Sequence, residues 1–343
     1  MFHEEKLLLL GLYLAKKGAF HSAKWLEDLY PLSEVKERYS SSLSSLIESA
    51  QKELERAQRK GIEILFYKDP KFPHELKQIP YPPLFIYIKG EIPSNPRFAI
   101  VGSRKPTAYG KEVASLFTKE LSTHGFAIIS GLARGIDTIA HITAIEAGGK
   151  TVAILGSGLD IIYPGENHNL ASKIVTSGGA IISEFPLGTQ PRRENFPRRN
   201  RLISGLSQGV LVVEAGERSG TLLTAKWAQE QGKDIFAIPG NIFSDQSKGT
   251  HLLIKEGAIP VTNPREIIEF YGFTKVHTQG HQSERITDEI THYLLEILSS
   301  YPMHLEEIIM RVGKSPVEVL RDLTQLEIEG RVKGLPGKFY IKT

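Results

Sequence analysis

The sequence predicts an α/β protein built on a doubly wound, mostly parallel sheet, flanked by an N-terminal helical domain and a C-terminal winged-helix domain. Short apolar strands alternate with helical patterns over roughly 170 residues, which is typical of a parallel sheet covered by helices. The first 60 residues show helical patterns and few strand signals. Residues 286–343 show three helical patterns and a hairpin, the elements of a winged helix-turn-helix.

The predicted sheet consists of short runs of β-branched and apolar residues, as expected for strands buried on both faces. Two such runs, Ile62–Tyr67 and Leu84–Lys89, come first. The later runs are Phe98–Val101, Ala127–Ser130, Thr151–Leu155, Ala180–Ser183, Val210–Val213, Ile235–Ile238 and Ile259–Val261. Because a helical pattern separates most of them, the sequence predicts a Rossmann-like arrangement.

Four segments follow from these patterns. They are a helical, SAM-like domain over 1–60, the Rossmann-like domain over 61–271, a linker over 272–285 and the winged-helix domain over 286–343. The linker is polar and lacks any periodicity, which is why it is separated from the domains beside it.

Composition excludes several classes of site. The 343 residues include no cysteine, which rules out disulfides and thiolate metal sites and fits a reducing cytoplasm. The first apolar run, Leu7–Leu14, is too short to cross a membrane. Neither a Walker loop nor a complete dinucleotide-binding GxGxxG turn occurs. We therefore expect a cytoplasmic protein with no membrane segment, no cofactor and no metal.

Glycine-containing turns follow most of the predicted strands, at the edge where ligands bind in α/β sheets. After Phe98–Val101, the turn Gly102-Ser103-Arg104 places the N–H groups of a helix start beside a guanidinium, which makes a ready anion site. The later turns add further candidate contacts for DNA or its phosphates, namely Gly131, Arg134, Gly156, Gly158, Ser219, Gly220 and Thr221. An ordinary strand-to-helix turn with a surface arginine is the alternative interpretation of the first turn.

The segment Pro191–Leu202 concentrates basic charge. It holds five arginines against Glu194, a local net charge of +4, whereas the whole chain carries +3. Its candidate nucleic-acid contacts are Arg192, Arg193, Phe196, Arg198, Arg199, Asn200 and Arg201. Arginine forks suit backbone phosphates and an exposed phenylalanine stacks on any base, which together make a platform for single strands. The alternative is a solvated arginine cluster with Phe196 buried as an anchor for the next helix.

Acid–base groups are few. Asp137 and His141 lie four residues apart on a predicted helix and could pair, but a structural, hydrogen-bonding histidine is the better interpretation. Glu184 and Glu214 follow two strands and could form a carboxylate pair, yet no nucleophile or metal partner accompanies them. We predict no catalytic residue.

The C-terminal module is acidic. Residues 284–343 hold eight Lys/Arg and ten Asp/Glu. A helix that reads duplex DNA needs positive charge toward the phosphates. We therefore expect this module to contact another protein or to serve an auxiliary role. A domain whose only role is to pack against the rest of the protein fits the sequence about equally well.

Together these motifs resemble the DNA-processing protein A family, also called DprA or Smf. The matching pieces are VGSR at 101–104, SGLARGID at 130–137, LGSGLD at 155–160, SEFP at 183–186, FPRRNR at 196–201, EAGERSGTL at 214–222 and IPGN at 238–241. The similarity spans about residues 61–270, and the flanking modules fit the layout of the family.

This resemblance implies a non-enzymatic mediator of natural transformation and recombination. Such a protein coats and protects incoming single-stranded DNA, loads the recombinase RecA, and acts as a homodimer through its Rossmann-like domain. The implied DNA contacts are Gly102, Ser103, Arg104, Gly131, Arg134 and the 192–201 segment. Phe196 would stack on a base or wedge beside it, and the glycine turns would contact phosphates through their backbone.

A second hypothesis is a nucleotide-binding or nucleotide-hydrolysing enzyme or sensor. The turn at 214–221 is similar to the glycine-rich motif of Rossmann-like proteins related to cytokinin-activating phosphoribohydrolases. Residues 216–221 depart from the Gly-Gly-x-Gly-Thr pattern of those proteins, which weakens the case for catalysis. A pure assembly scaffold is a third hypothesis.

Overall fold

The structure, a computed structural model, describes residues 3–15, 37, 39–273, 294–299, 301–313, 316–335 and 337–342. They belong to two compact units, Met1–Lys275 and Val276–Thr343. The predicted helical pattern at Ser22–Leu29 lies outside the described residues, as do residues 274–293, which include most of the predicted linker.

A nine-stranded sheet forms the centre of the first unit. Its strands are β1 (Glu63–Phe66), β2 (Phe85–Gly90), β3 (Arg97–Val101), β4 (Ala127–Ser130), β5 (Thr151–Ile154), β6 (Ala180–Ser183), β7 (Gly209–Val212), β8 (Asp234–Ala237) and β9 (Ile259–Pro260). Across the sheet the order is β1-β2-β6-β5-β4-β3-β7-β8-β9. The strands from β6 to β9 in this order run parallel, and β2 pairs antiparallel with β6 and β1. The predicted mostly parallel α/β sheet is confirmed.

Helices cover both faces of this sheet, because successive strand residues point to opposite sides. Among the described residues of the first unit, the α-helices are α1 (His3–Ala15), α2 (Leu43–Arg59), α3 (His74–Lys77), α4 (Ala108–Thr123), α5 (Ile136–Glu146), α6 (His168–Thr176), α7 (Asn195–Gly205), α8 (Thr221–Glu230), α9 (Lys248–Lys255) and α10 (Pro264–Phe270). Phe98 and Ile100 of β3 share a core with α4, α5 and α10. Ala99 and Val101 share another with α7, α8 and α9.

The N-terminal helices share a third core with the sheet. Leu10 and Tyr13 of α1 and Ala50 of α2 belong to the same buried cluster as Phe85 of β2 and Leu155. The sequence predicts a helical domain over 1–60, and in the structure the described part of this segment shares a buried core with the sheet. The physical reason is that β1 and β2 present apolar side chains on this face, which need a helical cover.

The order of the strands reverses between β3 and β7, since β4, β5 and β6 lie on one side of this pair and β8 and β9 on the other. At such a switch point the turns after two neighbouring strands diverge and leave a crevice at their carboxyl ends. The turns after β3 and β7 flank this crevice, and the start of α7 lies beside it.

The second unit has the predicted winged-helix topology. Residues 294–297 are helical, and β10 (Met303–His304), α11 (Leu305–Val312), α12 (Pro316–Ile328), β11 (Val332–Leu335) and β12 (Phe339–Lys342) follow. Its antiparallel sheet has the order β10-β12-β11, and Leu294, Ile308, Leu323 and Val332 belong to its core. No helix in the described ranges of the chain is long and apolar enough to cross a membrane.

Candidate nucleic-acid interface

A cleft with a volume of about 570 Å³ occupies the switch point of the large sheet. One wall is the turn after β3, at residues 102–105, and the opposite wall belongs to the turn after β7, at residues 216–221. The first turns of α7, including Phe196, close the cleft on a third side. The structure thus brings together three groups of residues that the sequence nominated separately.

The cleft is positively charged. Arg104, Lys105 and Arg218 line it and are exposed to solvent, and Arg199 lines its floor. Asp137 is the one acidic residue among the described residues that line this cleft, and it is buried. A concave surface with this charge distribution attracts anions, phosphate groups in particular.

Close contacts join the two walls. The Thr221 hydroxyl donates a hydrogen bond to the Gly102 carbonyl at 3.0 Å, and the Thr221 N–H donates to Ser219 Oγ at 3.2 Å. A Cβ atom added at Gly102 would lie 2.6 Å from Ile136 Cγ1, so only glycine allows the turn to pass this closely over α5. Gly102, Ser219 and Thr221 therefore shape the walls of the cleft.

Phe196 lies partly buried beneath Arg104. The Cζ atom of Arg104 is 5.2 Å from the centroid of the Phe196 ring, a cation–π distance. The ring packs against Gly156, where an added Cβ atom would lie 3.0 Å from Phe196 Cδ1, and the Tyr163 ring centroid is 6.0 Å away. The sequence predicts that Phe196 stacks on a base or wedges beside it. In the structure Arg104 lies over that ring, and both side chains line the cleft.

Arg199 supports the cleft from below and is 4% exposed. It donates hydrogen bonds to the carbonyls of Gly131, at 2.6 Å, and Ile154, and to Asn200 Oδ1 at 3.1 Å. Burial lowers the pKa of Arg199 to about 10 and the charge of Asp137 opposes this shift, so the guanidinium remains charged at neutral pH. The predicted direct DNA contacts of Arg199 and Asn200 are corrected, because both side chains are buried and bonded within the protein.

Arg198 and Arg201 form a second internal cluster around Glu184. The Glu184 carboxylate accepts hydrogen bonds from Arg201 at 3.0 and 2.5 Å, and its Oε1 lies 2.6 Å from Arg198 Nε. Tyr13 of α1 accepts a hydrogen bond from Arg198 at 3.0 Å and donates to the Glu184 carbonyl at 3.2 Å. Burial favours a raised pKa of Glu184, but the two arginines outweigh it and lower the pKa. Arg201 is buried and bonded within the protein, which corrects its predicted DNA contact, and Arg198 is largely engaged in linking Glu184 to Tyr13 of α1.

The remaining predicted arginines reach solvent. Arg192 and Arg193 are exposed just before α7, and Arg192 lies 4.0 Å from Glu194. Arg134 is exposed too, and it forms an ion pair with Glu166. Sequence reasoning did not assign Lys105 or Arg218 to the site. Their positions in the sequence could have indicated them, because Lys105 follows Arg104 and Arg218 lies within the glycine-rich turn after β7.

The buried glycines serve packing. Gly131 N–H donates to Asp137 Oδ2 at 3.1 Å, Gly158 N–H donates to the Thr189 carbonyl at 2.9 Å, and the Gly156 carbonyl accepts from Asn195 Nδ2 at 3.0 Å. All three glycines are buried, and Gly131 and Gly156 line a small cavity beside Phe196. Gly220 is exposed at the cleft and keeps the predicted location.

The acidic and imidazole groups form no catalytic pair. Glu214 accepts hydrogen bonds from the Thr107 N–H at 2.9 Å and the Thr107 hydroxyl at 2.6 Å, and so steadies the N-cap of α4. His141 is buried and bonds to the Thr151 hydroxyl at 2.7 Å through Nδ1, and burial lowers its pKa to about 3. His141 thus has the structural role that the sequence favoured. Within the described ranges, no group of three His, Asp or Glu residues could hold a metal.

Fold and cleft together define a class: an α/β protein with a cationic cleft at the switch point of its sheet, joined to a winged-helix module. The family model described as DNA recombination-mediator protein A matches residues 63–272, and the model of the DprA winged helix domain matches residues 279–338. The chain belongs to the DNA recombination-mediator protein A family, which confirms the resemblance seen in its sequence.

Named relatives agree with this assignment. Protein Smf of Escherichia coli is 42% identical over 263 residues, which cover 74% of this chain and 70% of the relative. Protein Smf of Synechocystis is 33% identical over 326 residues, which cover 84% of this chain and 82% of the relative. The crystal structure of DNA processing protein A from Streptococcus pneumoniae has a TM-score of 0.59 at 32% identity, covering 77% of this chain and 92% of that one.

A second solved structure, of DNA processing protein A from Helicobacter pylori, is described by its single-stranded DNA binding mode. It has a TM-score of 0.55 at 30% identity and covers 61% of this chain and 95% of its own.

Proposed function

We propose that this protein binds single-stranded DNA in the cationic cleft and acts without catalysis as a recombination mediator. The observation that carries the proposal is the Arg104–Phe196 stack, 5.2 Å from guanidinium carbon to ring centroid, at the mouth of a cleft lined by Lys105 and Arg218. Guanidinium planes bind phosphates through their edges and stack on bases through their faces. The single-stranded DNA binding named for the Helicobacter pylori relative supports it.

The shape of the cleft favours a single strand over a duplex. A flexible strand can turn its phosphates inward and enter a concave site, whereas a duplex presents its phosphates on a stiff, convex surface. The acidic balance of the C-terminal module also gives little attraction for duplex phosphates.

The test is a fluorescence-anisotropy titration of labelled single-stranded and duplex oligonucleotides at several salt concentrations. The variant Arg104→Ala/Lys105→Ala should bind single strands at least about tenfold more weakly, and the salt slope should fall by about 0.7 for each phosphate that the variant no longer neutralises. Lys119→Ala/Lys150→Ala is the matched control, because both lysines are exposed and lie outside the cleft. Equal binding by the two variants would contradict this site.

The same cleft is also suited to a small nucleotide, because mononucleotides bind at switch points of this kind. The test is to add a deoxynucleoside monophosphate to the complex with a labelled oligonucleotide. Displacement of the oligonucleotide at a monophosphate concentration far below the concentration of oligonucleotide phosphate groups would favour this second function. Glu214 is held by the cap of α4, so it is not presented to the cleft as a catalytic carboxylate.

We further propose that the protein works in the cytoplasm as a homodimer and loads RecA onto incoming DNA during natural transformation. Membership of the family supports this proposal. RecA should hydrolyse ATP sooner on single strands precoated with a single-strand-binding protein when this protein is added. Mass photometry should show a species of twice the 38.2 kDa chain mass, and the DNA should be recovered unchanged in length.

A further inference from the structure

Beside the main cleft lies a smaller cavity of about 40 Å³, on the side of Phe196 toward Tyr163. Arg104, Ala133 and Phe196 line both spaces, so the two adjoin. Arg134 lines the smaller one. The guanidinium of Arg134 therefore lines a space that adjoins the cationic cleft.

That guanidinium is already engaged by a carboxylate. Arg134 Nε and Nη2 donate to the two oxygens of Glu166, each at 2.9 Å. This is the two-point geometry with which arginine also binds a phosphate group. The two side chains are 59% and 57% exposed, so solvent and ligands reach both.

The backbone around the pair holds it in place. Asn167, directly after Glu166, is buried and donates to the Leu132 carbonyl at 2.9 Å and to Thr138 Oγ1 at 2.8 Å. Leu132 has a positive φ of 55°, which turns the chain sharply before Arg134. The loop that carries the carboxylate is thereby tied to the loop that carries the guanidinium.

We propose that Arg134 is a phosphate site for single-stranded DNA and that Glu166 occupies it as a built-in competitor until a strand enters. The inference rests on the proposed binding of single-stranded DNA. An exposed ion pair adds little to stability, so a backbone phosphate can displace the carboxylate at small cost. The carboxylate lowers the affinity for DNA at this point and makes each strand exchange one anion for another.

The test compares Glu166→Gln with the wild-type chain by anisotropy titration of a labelled single strand. The amide keeps the size of the side chain and removes its charge, so the affinity should rise about fivefold at low salt. The salt slope should become steeper by about 0.7, the value for one phosphate on a single strand, because the wild-type chain exchanges one anion for another at Arg134 without net release of a counterion. In the Arg134→Ala background, the gain from Glu166→Gln should shrink to the small effect of removing one negative charge near the strand.

Glu217→Gln is the matched control, because Glu217 is exposed next to Arg218 at the rim. Any gain that it brings through general electrostatics should persist when Arg134 is replaced. Unchanged affinity of Glu166→Gln, or a gain that Arg134→Ala leaves undiminished, would overturn this inference while the wild-type chain still binds DNA. Absence of binding by the wild-type chain would overturn both proposals.

Discussion

Glu184 and Arg201 form a two-point ion pair in which each side chain is 3% exposed. The pair accounts for one of the five arginines that make the 192–201 segment the most basic part of the sequence. Arg198 joins the same carboxylate, and Arg199 is buried under the cleft. The positive charge of this segment therefore does not all reach the surface, because three of its five arginines interact with groups inside the protein.

The first prediction concerns the stability that this pair provides. Arg201→Ala leaves Glu184 buried without its main partner, which should lower the free energy of unfolding by about 3–5 kcal/mol. Urea denaturation followed by circular dichroism measures this change.

Arg193→Ala is the control for that experiment, because it removes the same charge from an exposed side chain of the same segment. Its free energy of unfolding should stay within about 0.5 kcal/mol of the wild-type value. Equal stability of the two variants would show that the Glu184 cluster does not anchor the fold.

The second prediction concerns the dependence of stability on pH. Burial lowers the pKa of His141 from 6.5 to about 3, and the nearby charge of Arg199 acts in the same direction. The folded protein thus resists protonation of His141. The contribution of this group to the free energy of unfolding is fully present above pH 6.5 and is lost as the pH drops toward 3. The slope should reach about 1.4 kcal/mol per pH unit from this group.

His141→Asn tests the origin of that slope, since the amide can still donate to the Thr151 hydroxyl but does not titrate. The difference in unfolding free energy between the two proteins should shrink steadily as the pH falls below 6.5. A difference that stays constant with pH would assign the acid sensitivity to other groups. Carboxylates such as Glu184 contribute equally to both proteins and cancel in the comparison.

The third prediction separates the DNA-binding function from a catalytic one. Glu214→Gln removes one of the two hydrogen bonds that the carboxylate accepts from Thr107 and should cost about 1 kcal/mol of stability. The affinity for single strands should remain within about twofold of the wild-type value, because Glu214 does not line the cleft. A large loss of binding in the folded variant would return Glu214 to the functional site.

Much of the fold could be predicted from local sequence patterns. The short apolar runs predicted β3 to β9 to within two residues, since a buried parallel strand is recognisable from its own few residues. The edge where ligands bind followed from the same alternation of strands and helices. Arg104 and the turn after β7 were nominated for this reason, and they do meet at one cleft.

Local patterns could not predict which arginines of the 192–201 segment are buried and which are exposed. Whether Arg201 is buried depends on Glu184, and the packing of α1 on the sheet brings Tyr13 within hydrogen-bond distance of the Glu184 carbonyl, 171 positions away. The local pattern around an arginine is the same for a phosphate contact and an internal ion pair. The choice between them depends on partners that are distant in sequence, and only the folded chain brings these close enough to offset the cost of burying a charge.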